Sequence, residues 1–118
     1  KQLGRVPGKD LLFSALNNSP EMLDSTVDGR VSVAATGHFS LGAWAMVLLH
    51  DYDAGVDFAT HGGKDRQIPI FVLLDRRQAA RMKANLARPG FGIDFRDFSL
   101  ALHPERKRYE FSVQPLLR

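Results

Sequence analysis

The chain has 118 residues, 44% of them hydrophobic and 25% charged, with no cysteine and a formal net charge of +3. That composition predicts one folded hydrophobic core over residues 1–118, and it excludes a disulfide scaffold, a thiol nucleophile and a thiolate zinc or iron–sulfur site. The longest apolar stretch, 43–49, is far short of the roughly 20 residues that cross a bilayer, and the N-terminus lacks the pattern of a signal peptide.

In chain order, residues 1–9 read as an extended N-terminal arm closed by Val6-Pro7-Gly8, and the start at Lys1 rather than methionine points to a processed product or a segment of a longer protein. Asp10 then caps a short helix through Leu11, Leu12 and Leu16 that Asn17-Asn18 ends. Ser19-Pro20-Glu21 is a helix start, with serine as cap and proline in the first turn, giving a second helix to Thr26. Asp28-Gly29 turns the chain into a strand over 30–35, where Val31, Val33 and Ala35 form the buried side and Thr36-Gly37 ends the strand.

Residues 39–52 carry two periodicities. As a helix, Leu41, Trp44, Ala45, Leu48, Leu49 and Tyr52 share one face; as a strand, Phe39, Leu41, Ala43, Ala45, Val47 and Leu49 alternate. The helix-forming composition and the length favour a helix over 41–52. After the Asp53-Ala54-Gly55 turn, Val56, Phe58 and Thr60 read as a short edge strand before the loop 61–65.

Residues 68–74 are nearly continuously apolar and read as a central strand with Pro69 near its start. Asp75 caps a helix over 76–87 that Arg88-Pro89-Gly90 stops, with Ala79, Met82 and Leu86 inward. Phe91, Ile93 and Phe95 alternate, and Phe98, Leu100 and Leu102 continue in the opposite parity, which calls for a bulge near Asp97. With a final strand at Tyr109, Phe111 and Val113, this closes a C-terminal β-hairpin. The expected fold is therefore a small α+β domain, with one basic helix on a mixed or antiparallel sheet and a terminal hairpin.

The net charge conceals an asymmetry: residues 1–60 hold four basic and seven acidic side chains, and residues 61–118 hold twelve basic and six acidic. Arg77, Arg81 and Arg88 fall on one helical flank beside Asn85, with no acidic residue between Arg76 and Pro89. Lys64, Arg66 and the Arg106-Lys107-Arg108 loop extend the field. Guanidinium groups span phosphate oxygens, so this half predicts a basic patch that binds DNA, RNA or another polyanion. A protein-interaction or assembly role, through the arm or the hairpin edge, is the second reading; its partner would be another protein or the parent chain. Trp44 is assigned to the core, as are Phe95, Phe98, Phe111 and Phe91; His38 and His103 are assigned to turns or the surface.

A third reading is chemical. Oxygen and imidazole ligands at Asp53, Asp57 and His61 would suit a divalent cation that activates water. Tyr52-Asp53, Asp57-Phe58, Thr60-His61 and Gly62 resemble the Asp, Asp and His motif of the colicin M activity domain, a metal-dependent enzyme that cleaves lipid-linked peptidoglycan precursor. The resemblance implies Asp53 and Asp57 as acidic catalytic residues and His61 as the catalytic histidine. The interval from Asp57 to His61 is shorter than in that family, and Gly62 stands where its functional arginine would. Phosphate-loop, dinucleotide, zinc-metalloprotease and nucleophile-elbow patterns are all missing. The balance therefore lies against an enzyme and against any cofactor other than the cation of this third reading. The compartment stays open, with the cytoplasm favoured.

Overall fold

In the computed structural model, which describes residues 4–63 and 65–118, a three-stranded mixed sheet of order β1-β2-β3 organises the chain. β1 (Ser14–Leu16) lies parallel to β2 (Val33–Thr36), and β3 (Val72–Leu74) lies antiparallel on the other side of β2. The α-helices are α1 (Pro20–Val27), α2 (Leu41–Asp53) and α3 (Arg76–Leu86). Short 3₁₀ turns supply most of the remaining regular structure.

The first correction is at β1, where a helix is expected. The Asp10 carboxylate does not cap forward; it turns back to accept from the Val6 amide at 2.9 Å, while the Val6 carbonyl accepts from the amides of Lys9 and Asp10. The chain beyond is thereby delivered extended. The Phe13 carbonyl accepts from the Ser32 amide at 2.8 Å, and the Asn17 amide donates to the Ala35 carbonyl at 3.2 Å. A ladder with a partner nearly twenty residues away wins over a local preference for helix. Of the expected arm, residues 1–3 lie outside the described residues.

α1 starts as its sequence dictates: Ser19 Oγ accepts from the Met22 amide, Pro20 stands in the first turn, and Leu23 and Thr26 are buried. In β2 the expected parity is reversed. Ala34 and Thr36 face the core, where Ala34 is register partner to the fully buried Leu74, whereas Val33 and Ala35 are half-buried. A small residue here lets the packed α1–α3 layer approach the central strand.

α2 is helical over nearly its expected span but presents a different face. Trp44, Val47 and Asp51 are buried, and Leu41, Ala45, Leu49 and Tyr52 are exposed. The segment expected as an edge strand at 56–60 ends instead in a 3₁₀ turn, Phe58–His61. β3 is an edge rather than a central strand, and only its last three residues pair. α3 has the capping box its sequence encodes: Asp75 Oδ1 accepts from the Gln78 amide at 2.7 Å, and Gln78 Oε1 accepts from the Asp75 amide at 3.0 Å. Ala79 and Met82 are fully buried against the core, and Leu86 packs at its margin.

The expected C-terminal hairpin is overturned. Residues 89–118 form 3₁₀ turns at Pro89–Gly92, Phe95–Phe98 and Gln114–Leu117. The alternating aromatic residues ring an indole instead of lining a sheet. The Trp44 ring centroid lies 4.8 Å from Phe95, 4.8 Å from Phe98 and 4.9 Å from Phe111. Phe91 is not in this cluster; it packs edge-on against Phe39. Among the described residues, no helix is long and apolar enough to cross a membrane.

Candidate functional site

β1, α1 and β2 form a βαβ unit whose two parallel strands end at the same edge of the sheet. In open α/β sheets the carboxyl ends of such strands, with the loops that follow them, form the ligand crevice. Here those loops are Asn17-Asn18 and Gly37-His38-Phe39. Because β3 runs the other way, its amino end, at Phe71, reaches the same edge.

The first loop is shaped by Asn17, whose Oδ1 accepts from the amides of Asn18 at 2.7 Å and Ser19 at 3.2 Å. The second depends on Gly37, with φ 130°; a Cβ at this position would stand 1.9 Å from the Ile70 carbonyl oxygen. Only glycine lets the two backbones approach this closely. Ser40 then locks the turn: its hydroxyl donates to the Gly37 carbonyl at 2.7 Å and accepts from Trp44 Nε1 at 2.7 Å.

Two polar atoms at this edge stand out. Thr36 Oγ1 and His38 Nδ1 are buried and have no hydrogen-bond partner among the described residues. Buried polar groups are almost always paired, so such atoms mark a place where something else completes the bonding. The His38 ring lies 6.3 Å from that of Phe71, which is 55% exposed. Amide and imidazole groups beside a flat apolar ring suit a ligand that carries both hydroxyls and C–H faces.

Several concave volumes lie elsewhere, two of them beside α2 and beside Arg66. One of about 470 Å³, between α2 and the 95–102 segment, is walled by Met46, Val47, Phe95 and Leu102 with His50 and Arg96 at its margin. Its apolar walls offer little to orient a polar ligand. The other, of about 390 Å³, runs past Arg66, whose guanidinium lies 4.8 Å from the Tyr109 ring centroid.

Behind that second groove lies the fully buried Asp51 carboxylate. Ser99 Oγ donates to it, as do the Leu100 amide at 2.6 Å and Tyr109 Oη at 2.8 Å, and His50 Nδ1 lies 3.1 Å away. Burial alone would raise the carboxyl pKa; the combined hydrogen bonds from Ser99, His50, Tyr109 and Leu100 outweigh it and hold the pKa below the ordinary value. Burial, the Asp51 hydrogen bond and the Asp51 charge push the Tyr109 phenol well above its usual range, so it remains a proton donor.

The residues expected to bind nucleic acid are largely exposed, and several are engaged with their own chain. Arg81 Nη1 donates to the Leu117 carbonyl at 3.2 Å, Arg106 donates to the Asp97 carbonyl, and Arg108 pairs with Glu110 at 2.9 Å. Arg77, Arg88 and Lys107 are exposed. Asn85, expected on the basic flank, is buried and donates to the Leu116 carbonyl at 2.9 Å. Lys64 lies outside the described residues.

The cation reading is overturned. Among the described residues, no group of three or more His or acidic side chains could hold a metal. Asp57 Oδ1 accepts from the Ala59 amide at 2.8 Å, which makes it a turn cap; Asp53 is exposed at the end of α2, and His61 Nδ1 lies 3.2 Å from the Lys107 carbonyl. The colicin M resemblance thus stops at sequence order.

No family model matches the chain, and no curated protein matches it by sequence. A solved structure described as a periplasmic sugar-binding protein from Pseudomonas fluorescens is similar over 99% of this chain, with 46% identity and a TM-score of 0.88. The chain spans 36% of that protein's length. This similarity overturns the nucleic-acid and basic-patch reading, the DNA or RNA partner and the cytoplasmic location. The helix arginines are the solvated face of an amphipathic helix, with Ala79 and Met82 on its other side. The described role of the similar protein is binding, which is in line with the balance against an enzyme.

Asn17, Asn18, Thr36 and His38 were missing from the sequence-based candidates. The signal that finds them is topological: once 14–16 is read as a strand parallel to the next, both polar loops fall at one carboxyl edge.

Proposed function

We propose that the chain is the part of a periplasmic binding protein that holds a sugar at the carboxyl edge of β1 and β2. The observation that carries this reading is the 46% identity to a periplasmic sugar-binding protein along 99% of the chain. The edge has the matching chemistry. Asn17 and Asn18 bring amides that both donate and accept, as vicinal hydroxyls require, and His38 Nδ1 provides a polar atom with bonding capacity to spare. The exposed face of Phe71 gives a ring of C–H groups an apolar surface on which to lie. None of these groups is an arginine or lysine, which favours a polyol over a phosphate.

The test is a titration of the isotopically labelled chain with D-ribose, D-glucose and D-galactose, following backbone amides. At least one sugar is expected to shift the resonances of residues 17–18 and 36–39, and His38→Ala and Asn18→Ala each weaken that response. Shifts confined to the Arg66 groove, or no saturable response to any of the three, would overturn the assignment.

A further inference from the structure

Among the described residues, Phe91 is the one non-glycine with a positive φ, at 58° with ψ 16°, and it sits between Gly90 at 64° and Gly92 at 71°. The glycines adopt this backbone freely; a residue with a Cβ does so only where its surroundings hold it there. Burial does not supply the compensation, because Phe91 remains 41% exposed. What the conformation achieves is a specific contact: the Phe91 ring meets the Phe39 ring edge-on, with centroids 5.9 Å apart and planes at 81°. Phe39 immediately follows His38, within the turn that Gly37 and Ser40 define.

The loop is anchored at both ends. The Phe91 amide donates to the Arg88 carbonyl at 3.0 Å, and the Ile93 amide donates to the Gly90 carbonyl at 3.1 Å. Ile93 is buried, and Gly92 lies against the Asn85 side chain, itself tied to the Leu116 carbonyl. A post built on α3 and the C-terminal segment therefore reaches across to the turn after β2.

We propose that Phe91 is a positioning residue for the saccharide edge: its ring braces Phe39 and so fixes the turn that presents His38. The inference rests on the sugar reading for its ligand, and on the structure alone for the brace. Its consequence is that ligand affinity depends on a side chain that belongs to neither strand loop. If the unbraced turn holds His38 in its binding geometry about one-tenth of the time, the apparent Kd rises about tenfold.

Phe91→Gly removes both the ring and the backbone strain, and Phe91→Tyr keeps the ring. Two readouts separate the brace from the ligand: the imidazole resonances of His38 in the unliganded chain, and the titration midpoint of whichever of D-ribose, D-glucose or D-galactose binds. In Phe91→Gly the His38 resonances are expected to shift or broaden and the midpoint to rise about tenfold, with no fall in the thermal unfolding midpoint. Phe91→Tyr is expected to leave the His38 resonances at their wild-type positions and the midpoint within about twofold of wild type. Unmoved His38 resonances in Phe91→Gly would overturn the brace whatever the sugars do. Perturbed His38 resonances that Phe91→Tyr restores, in a chain that binds none of the sugars, would support the brace and remove only the sugar reading.

Discussion

Replacing Asp51 by alanine withdraws the acceptor on which three donors converge from the 99–109 segment: the Ser99 hydroxyl, the Leu100 amide and the Tyr109 phenol. The Ser99 hydroxyl and Leu100 amide belong to buried residues, whereas Tyr109 is half-buried and His50 exposed. Each buried donor left unpaired costs about 1–3 kcal/mol, and recovering the desolvation energy of the carboxylate offsets part of that sum. The expected loss is about 3–4 kcal/mol, or roughly 12–16 °C in the melting midpoint of a domain of this size. Asp51→Asn keeps one acceptor oxygen but turns an amide N–H₂ toward donors, so its loss is expected to be nearly as large. Because hydrogen bonds hold the native Asp51 pKa below the unfolded carboxylate value, this stability is fully present above about pH 4 and is lost as the pH falls through the lower native value. Urea denaturation of wild type, Asp51→Ala and Asp51→Asn from neutral pH to below pH 4 is the assay. The wild-type advantage over Asp51→Asn is expected to shrink at the acid end. A loss under about 1 kcal/mol at neutral pH, or a gap that widens on acidification, would refute the reasoning.

Two further outcomes are expected. Gly37→Ala forces a Cβ to 1.9 Å from the Ile70 carbonyl oxygen at a φ of 130°, so a loss of roughly 3 kcal/mol or more in urea denaturation is predicted, with the largest amide shift changes at 36–40 and 70–72. Met82→Ala empties a fully buried site on the inner face of α3; about 2–4 kcal/mol should be lost by the same measurement, and a change below about 1 kcal/mol would mean that this face of α3 is not packed in the core.

The parts of the fold legible in the sequence are those decided locally. Ser19-Pro20 and the Asp75 to Gln78 capping box announce α1 and α3, because cap, first turn and inward face are all encoded within a few residues. β1 is illegible for the opposite reason: Leu11, Leu12 and Leu16 satisfy a helical pattern, and only the distant ladder with residues 32–35 decides otherwise. α2 is recognisable as a helix, but it is apolar nearly all round, so its sequence does not say that Trp44, Val47 and Asp51 turn inward. The alternation of Phe91, Ile93 and Phe95, and again of Tyr109, Phe111 and Val113, looks like strand pairing, yet Phe95 and Phe111 close on the Trp44 indole instead. The candidate site inherits the first of these failures. Asn17-Asn18 and Gly37-His38 are ordinary turn residues until the parallel pairing of β1 with β2 places them on one edge.

Trp44 is the sole tryptophan of the 118-residue sequence. Its indole nitrogen is wired through the Ser40 hydroxyl to the Gly37 carbonyl, and its ring is enclosed by Phe95, Phe98 and Phe111. The chain thus carries a single indole fluorophore, coupled by two hydrogen bonds to the peptide that precedes His38. Any event that reshapes that turn must alter the indole's hydrogen-bonded environment, so emission excited at the red edge, where tyrosine is silent, reads the state of the edge without a label.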